Sequence, residues 1–228
     1  MVGVETGMSP GGTPVDATAL ERSLREVRAP RPVLERERER RLTDRQRQIL
    51  DELGTLFEKG FADLTMADLA SRLNCSLRTL YGLAPSRDEL VLTVVDRNVR
   101  KIGRSAMAAI RSDMAPLDAV RAYLRAATVA VSSTTEEFAR DLADMPAGRR
   151  LNREHSDYLV AITRCLLDLA VERGDIGDVD TAAVARVIAD LGGDFAAPEV
   201  MPTLRSSPKE AADAVVEIVL RGLQAHLP

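Results

Sequence analysis

Apolar residues recur at intervals of three and four along most of this chain, and no segment alternates apolar and polar residues as a half-buried strand does. Three short segments with this spacing lie within residues 43–90. Longer ones cover residues 86–111, 116–131 and 149–173, and two more lie beyond residue 180. The pattern predicts an all-α fold of about nine helices.

Capping residues set the helix boundaries within residues 43–90. Two capping boxes are present, Thr43-x-x-Gln46 and Thr65-x-x-Asp68. Gly60 ends the first helix, since glycine adopts the left-handed conformation that closes helices. Ser76 caps a third, very short helix, so the sequence fixes where each of the three begins.

A turn of about three residues, Asn74 to Ser76, separates the second helix from the third. Two helices joined in this way are typical of a helix-turn-helix, which places an end of its second helix in the DNA major groove. Pro85 ends that helix, and Ser86 caps a longer fourth helix. We therefore predict a DNA-binding domain over residues 33–85.

Residues 43–90 resemble the DNA-binding domain of the TetR family of transcriptional repressors. The resemblance rests on Phe57-x-x-Gly60-Phe61, Thr65-Met66-x-x-Leu69-Ala70, Ser76-x-x-Thr79-Leu80-Tyr81 and Pro85-Ser86-Arg87-x-Glu89-Leu90. Four positions depart from the family pattern: Asn74 replaces a turn glycine, Leu83-Ala84 an aromatic pair, and Arg87 a lysine. The resemblance implies a homodimer on a palindromic DNA operator, with a small-molecule effector bound in the C-terminal helices.

Seven side chains around the helix-turn-helix are predicted to contact DNA: Thr65, Ser76, Leu77, Arg78, Thr79, Tyr81 and Arg87. Leu77 and Arg78 lie in the first turn of the short helix, where base edges are met, and the Arg78 guanidinium matches guanine O6 and N7. The hydroxyls and Arg87 suit phosphates. Simpler interpretations stay open, since Thr65 caps a helix in any fold and Tyr81 can be a core residue.

Charge is unevenly distributed along the 228 residues, of which 45% are hydrophobic. Residues 31–111 hold 16 Lys and Arg against 12 Asp and Glu, whereas residues 112–228 hold 12 against 19. The basic part suits a polyanion, and the acidic part is expected to face away from it.

Residues 1–32, rich in Gly, Pro, Ser and Ala, are predicted to be a disordered extension apart from a helical turn around Ala19–Val27. The alternating charges of Glu35–Arg41 then favour a helical extension of the first helix. These arginines either form a solvated face or reach phosphates and the minor groove beside the main site.

Residues 86–228 are predicted to form a helical regulatory and dimerisation domain. Two apolar stripes are candidates for the dimer interface: Val184, Val187, Ile188 and Leu191, and Val215, Val216, Val219, Leu220 and Leu223. In the resembled family the last two helices of each subunit pair into a four-helix bundle. The alternative is that both stripes pack inside one subunit.

Four polar or thiol side chains in the middle helices are candidates for effector contact: Tyr123, His155, Tyr158 and Cys165. His155 lies on an otherwise apolar helix face, where a core histidine with a satisfied hydrogen bond is the alternative. Aromatic residues are 3% of the chain, which favours a flexible, mostly aliphatic effector over a cation held in an aromatic cage.

Other classes of protein find little support in the sequence. The two cysteines form neither a metal spacing nor a disulfide framework, and no phosphate loop or nucleophile turn is present, so we expect no enzyme, metal or cofactor. No apolar run approaches the ~20 residues that span a bilayer, and no signal peptide is evident, so a cytoplasmic protein is expected.

The sequence thus predicts a ligand-responsive transcriptional regulator, most simply a repressor, that binds its operator as a homodimer. One alternative is a ligand-free architectural DNA-binding protein that recruits a partner through its C-terminal helices. Another is a catalytic all-α domain attached to a DNA-binding unit.

Overall fold

The computed structural model describes residues 17–128, 135–195, 197 and 199–225. These residues contain eleven α-helices and one 3-10 turn, Met201–Thr203, and they contain no strand, so the all-α prediction is confirmed. The helices are α1 Ala17–Glu26, α2 Arg36–Arg40, α3 Asp44–Phe57, α4 Met66–Arg72, α5 Leu77–Leu83, α6 Arg87–Ala108, α7 Pro116–Ala127, α8 Glu136–Asp144, α9 Pro146–Glu172, α10 Thr181–Phe195 and α11 Pro208–Ala225. Within these ranges no helix is both long and apolar enough to cross a membrane.

The predicted caps of the DNA-binding region are present. Thr43, Thr65, Ser76 and Ser86 each accept a hydrogen bond from the backbone N–H three residues later, and the first two form complete capping boxes. Asn74, in the turn between α4 and α5, has a φ of 46°, a left-handed conformation that asparagine tolerates better than most residues. Local hydrogen bonds therefore define both helices of the helix-turn-helix.

Buried side chains form two hydrophobic clusters. The first cluster contains the apolar faces of α3, α4 and α5, the first half of α6, and Leu142 of α8 and Leu151 of α9. The second contains Ala106 near the end of α6, the apolar faces of α7, α10 and α11, and most of α9. Helix α6 belongs to both clusters, so it connects the helix-turn-helix to the C-terminal helices.

The helical turn predicted around Ala19–Val27 is part of a longer helix. Residues 17–26 form a ten-residue helix that packs on α9, with Leu20 only 3% exposed. Helix α2 is separate from α3, because the chain turns between them to bury Leu42 and to let Thr43 cap α3. Residues 1–16 lie outside the described part of the chain.

Val131, at the end of the helical segment predicted over residues 116–131, and Pro198 also lie outside the described residues. So does Thr134, which the pattern Thr134-x-x-Glu137 predicts as a helix cap. Helix α8 is capped by Thr135, whose hydroxyl accepts from the Phe138 N–H, one residue after the predicted cap. Helix α9 begins at Pro146 rather than near residue 149, with proline at its first position, where a missing N–H costs nothing.

Asp96 of α6 is a buried carboxylate, 2% exposed, that binds three parts of the chain. It accepts hydrogen bonds from the Val33 N–H at 2.9 Å and from Arg100 Nε at 2.8 and 2.9 Å. His155 Nε2 of α9 lies 2.9 Å from Asp96 Oδ1 and donates to it, because the ionised carboxylate has no proton to give. Arg100 also donates to the Pro30 carbonyl at 2.6 Å. Asp96 therefore joins α6, α9 and the N-terminal segment.

Burial by itself raises the pKa of Asp96, but hydrogen bonds from His155, the Val33 N–H and Arg100 outweigh burial and place the pKa below its ordinary value. An ionised Asp96 thus stabilises the fold fully above the unfolded-state pKa of 3.8, and this contribution is lost as the pH falls through the folded-state pKa.

We therefore expect the free energy of unfolding, measured by urea denaturation, to fall more steeply with acidification below about pH 4 in the wild-type protein than in Asp96→Asn. The asparagine variant has no titrating group at this position. The stability of each protein at neutral pH is the reference for its own loss of stability in acid. Equal slopes in the two proteins would contradict a depressed Asp96 pKa.

Candidate nucleic-acid interface

Helix α5 exposes the start of its outer face. Leu80 and Leu83 are buried in the first cluster, 0% and 1% exposed, and they fix which side of the helix faces inward. Leu77 and Tyr81 are 44% and 51% exposed, and Arg78 is exposed beside them. Three of the predicted DNA-contacting side chains therefore share one accessible face at the first turns of a short helix.

The predicted hydroxyl contacts are engaged in helix capping. Ser76 Oγ and Thr79 Oγ1 lie 2.9 Å apart, and Ser76 Oγ also accepts from the Thr79 N–H. The Thr65 hydroxyl and N–H both donate to the Asp68 carboxylate, and these bonds lower the Asp68 pKa. Capping is thus their established role here, while Ser76 and Thr65 stay exposed.

Arg87, a predicted phosphate contact, is bonded to the loop between α3 and α4. Its guanidinium donates to the carbonyls of Leu64 at 2.6 Å, Ala62 at 2.9 Å and Phe61, three groups in the loop that leads into α4. It also pairs with Asp88 at 3.1 Å. Through these bonds Arg87 acts as a clamp on the α3–α4 loop, and its contact with a phosphate stays a prediction.

Asp141 of α8 holds the same loop from its N–H side. Its Oδ2 accepts from the Phe61 N–H at 2.5 Å and from the Ala62 N–H at 2.7 Å. Gly60 has a φ of +89°, and a side chain there would meet the Asp141 carboxylate at 3.2 Å, so this approach favours glycine. No local pattern in the sequence showed that α8 packs against the DNA-binding helices.

Arg45 of α3 supports the turn of the helix-turn-helix. Its Nη2 donates to the Leu73 carbonyl at 2.8 Å, and its Nη1 lies 3.4 Å from Glu52. Leu73 is the C-cap residue of α4, at the helix end where carbonyls lack a partner within the helix. Sequence reasoning missed Arg45, since its only local signal was a position in the polar first turn of α3.

An open groove of ≈620 Å³ lies between the face of α5 and the α3–α4 loop. Its lining residues are Ala62, Asp63, Leu64, Thr65, Met66, Ala67, Leu77, Tyr81 and Arg87. The groove thus brings the start of α4 and the exposed face of α5 together on one surface.

The four candidate effector contacts do not converge on one cavity. Tyr123 is 2% exposed in the second cluster, where burial raises its pKa, and neighbouring Tyr158 is half-buried. His155 is bound to Asp96. Cys165 instead lines an open cleft of ≈440 Å³ between α9 and α10, and burial raises the pKa of its thiol to about 11, which makes the reactive thiolate scarce.

The two candidate dimer stripes are divided between core and surface. Ile188, Val216 and Leu220 are at most 8% exposed and pack within this subunit's second cluster. Val187 of α10 is 56% exposed, and Ile218 of α11, which the sequence stripe did not include, is 69% exposed. The remaining members, Val184, Leu191, Val215, Val219 and Leu223, are partly buried.

No protein-family model matches this chain, and no curated protein matches its sequence. Solved structures do match it. The TetR-family transcriptional regulator PfmR from Thermus thermophilus is 22% identical, with a TM-score of 0.58 over 77% of this chain and 98% of its own. A TetR transcription regulator from Haloarcula marismortui is 15% identical, with a TM-score of 0.66 over 80% and 99%.

A regulatory protein in the TetR family from Rhodococcus is similarly related, 19% identical with a TM-score of 0.61 over 80% of this chain and 98% of its own. These likenesses, at low identity, establish the fold. The chain has the fold of TetR-family transcriptional regulators, which confirms the architecture that the helix-turn-helix motifs implied.

We expect Arg87→Lys to lower the free energy of unfolding by about 1–3 kcal/mol, because one ammonium cannot reach the three loop carbonyls together. Urea denaturation measures this change, and Arg78→Lys on the exposed face of α5 is the matched control. If the free energy of unfolding of Arg87→Lys equals that of the wild-type protein, Arg87 makes a simple charge contact and does not clamp the loop.

Proposed function

We propose that this protein is a DNA-binding transcriptional regulator that binds a palindromic operator as a homodimer. The observation that carries the proposal is the exposed first turn of α5, with Leu77, Arg78 and Tyr81 on one face beside the start of α4. Support also comes from the fold, since solved proteins of this architecture are transcriptional regulators.

Arg78 is assigned the main base contact. Its guanidinium is at the start of α5, and two parallel donors match guanine in the major groove. Leu77 contributes apolar contact beside it. Thr65, Ser76, Thr79 and Tyr81 are assigned to phosphates, because hydroxyls near the starts of helices set register on the duplex without reading sequence.

Residues 33–85 form the proposed DNA-binding unit, together with parts of the first cluster that follow in the chain. Asp141 accepts from N–H groups of the α3–α4 loop, and Arg87 donates to its carbonyls. In this proposal the two contacts set the angle at which α4 and α5 meet DNA. Because Asp141 belongs to α8, movement of the C-terminal helices would reach the helix-turn-helix through this contact.

Residues 86–228 are assigned to regulation and dimerisation. Val187 and Ile218 expose more of their surface than other large apolar side chains in the described ranges, and they lie on neighbouring helices α10 and α11. Burial of this exposed surface against a second copy would add apolar contact area outside the core. Two half-sites on a palindrome then follow from the two-fold symmetry.

A small, mostly aliphatic effector is proposed to bind in the C-terminal helices near Tyr123 and Tyr158. Helix α6 connects both hydrophobic clusters, so a tilt that opens room in the second cluster changes the spacing of the two α5 helices. The effector releases DNA only if it binds the DNA-free state more tightly. Repression is the regulatory outcome we favour.

The first test is selection of fragments from genomic DNA by the purified protein, followed by binding assays with Arg78→Ala. We expect a palindromic fragment, and a loss of about 1–3 kcal/mol in specific binding with non-specific binding nearly unchanged. Arg153→Ala, an exposed arginine of α9, is the control for loss of charge alone. Equal weakening on all DNA sequences would exclude base reading by Arg78.

The dimer is tested with Ile218→Glu, since a buried unpaired carboxylate at a subunit interface is strongly unfavourable. Sedimentation velocity should show the wild-type protein as a dimer and this variant as a monomer at the same concentration. Met201→Glu places the same charge on another exposed apolar position and should leave the dimer intact. A dimer that persists in Ile218→Glu would locate the interface elsewhere.

A further inference from the structure

Residues 28–41, here called the N-terminal strap, connect the two hydrophobic clusters by a route separate from α6. Before the strap, α1 packs on α9 and places Leu20 in the second cluster. Within it, Leu34 is 7% exposed in the first cluster, and Leu42, just after it, is buried there too. The segment is therefore secured at both ends by burial of leucine side chains.

Asp96 and Arg100 of α6 hold the middle of the strap. Both groups use backbone atoms of the strap: Asp96 accepts from the Val33 N–H at 2.9 Å, and Arg100 donates to the Pro30 carbonyl at 2.6 Å. Asp96 is buried, so its bond to the strap is protected from water. A hydrogen bond to a charged group is stronger in the protein interior than in water.

The C-terminal end of the strap contacts α5. Arg38 of α2 donates from Nη2 to the Gly82 carbonyl at 3.0 Å, in the last turn of α5 and next to Tyr81. Glu39 lies 3.6 Å from Arg97 of α6, whose Nη1 donates to Asp51 of α3 at 2.5 Å. The strap thus contacts α5, which presents the exposed face, and α6, which is itself bonded to α3.

We propose that the N-terminal strap positions α5 for DNA binding, with Asp96 and Arg38 as its two positioning residues. The inference rests on the proposed function, because it concerns how the DNA-contacting face is held. Helix α5 has only seven residues, so one hydrogen bond at its last turn restrains a large part of it. Asp96 cannot touch DNA, and its effect on binding passes through the strap.

Two matched pairs of variants separate this role from charge and from general stability. Val33→Pro removes the N–H that binds Asp96, while Val33→Ala keeps it, and Asp96 retains Arg100 and His155 as donors in both. Arg38→Gln and Arg36→Gln each remove one positive charge from α2, but only the first removes the bond to Gly82.

Affinity for the fragment selected from genomic DNA is measured over a range of salt concentrations. We expect Val33→Pro and Arg38→Gln to weaken binding about tenfold relative to Val33→Ala and Arg36→Gln, with the dependence on salt unchanged. If Arg38 binds a phosphate, its variant lowers the slope of log K against log salt by about 1, which overturns the positioning role. Val33→Pro binding as tightly as Val33→Ala also overturns it.

Amide hydrogen exchange without DNA distinguishes failure of this inference from failure of the proposed function. The Ala84 N–H donates to the Leu80 carbonyl at the end of α5, and we expect it to exchange faster in Val33→Pro and Arg38→Gln than in their controls. If the wild-type protein selects no DNA, the proposed function fails, and the exchange rates still decide whether the strap holds α5. If the Ala84 N–H exchanges equally fast in the two members of each matched pair, the strap does not position α5.

Discussion

Helix α6 is the element on which the arrangement of this molecule depends, because its apolar side chains are divided between two hydrophobic clusters. Leu90, Val91 and Val94 are at most 1% exposed in the first cluster, and Ala106 is 0% exposed in the second. Protein interiors are densely packed and transmit strain, so we expect a shift of α6 in one cluster to affect packing in the other.

Irregular backbone between helices is held by charged side chains from elsewhere in the chain. The α3–α4 loop receives donors from Arg87 and an acceptor from Asp141, and the strap receives both kinds of partner from Asp96 and Arg100. Loop N–H and carbonyl groups away from water need such partners, since an unmade hydrogen bond is costly. These four charged side chains thus hold irregular backbone beside the helix-turn-helix in place.

The exposed face of α5 follows from the packing beneath it. Leu80 and Leu83 are buried, so Leu77, Arg78 and Tyr81 are turned outward, and capping at Ser76 fixes where the helix begins. In the proposed function, Arg78 contacts a base only when the helix that carries it is held in place. The clamp on the α3–α4 loop and the proposed strap at the last turn of α5 would restrain that helix from two sides.

The sequence by itself determined the all-α fold, the caps of α3 to α6 and the exposed face of α5, because capping and periodicity involve residues three or four apart. Tertiary structure alone decided that Arg87 meets Leu64, that Asp96 meets Val33 and that His155 meets Asp96, because these partners lie 23 or more residues apart along the chain. It also decided that Ile188 is buried and Ile218 exposed. An apolar stripe indicates that a face is covered, but long-range packing selects which element covers it.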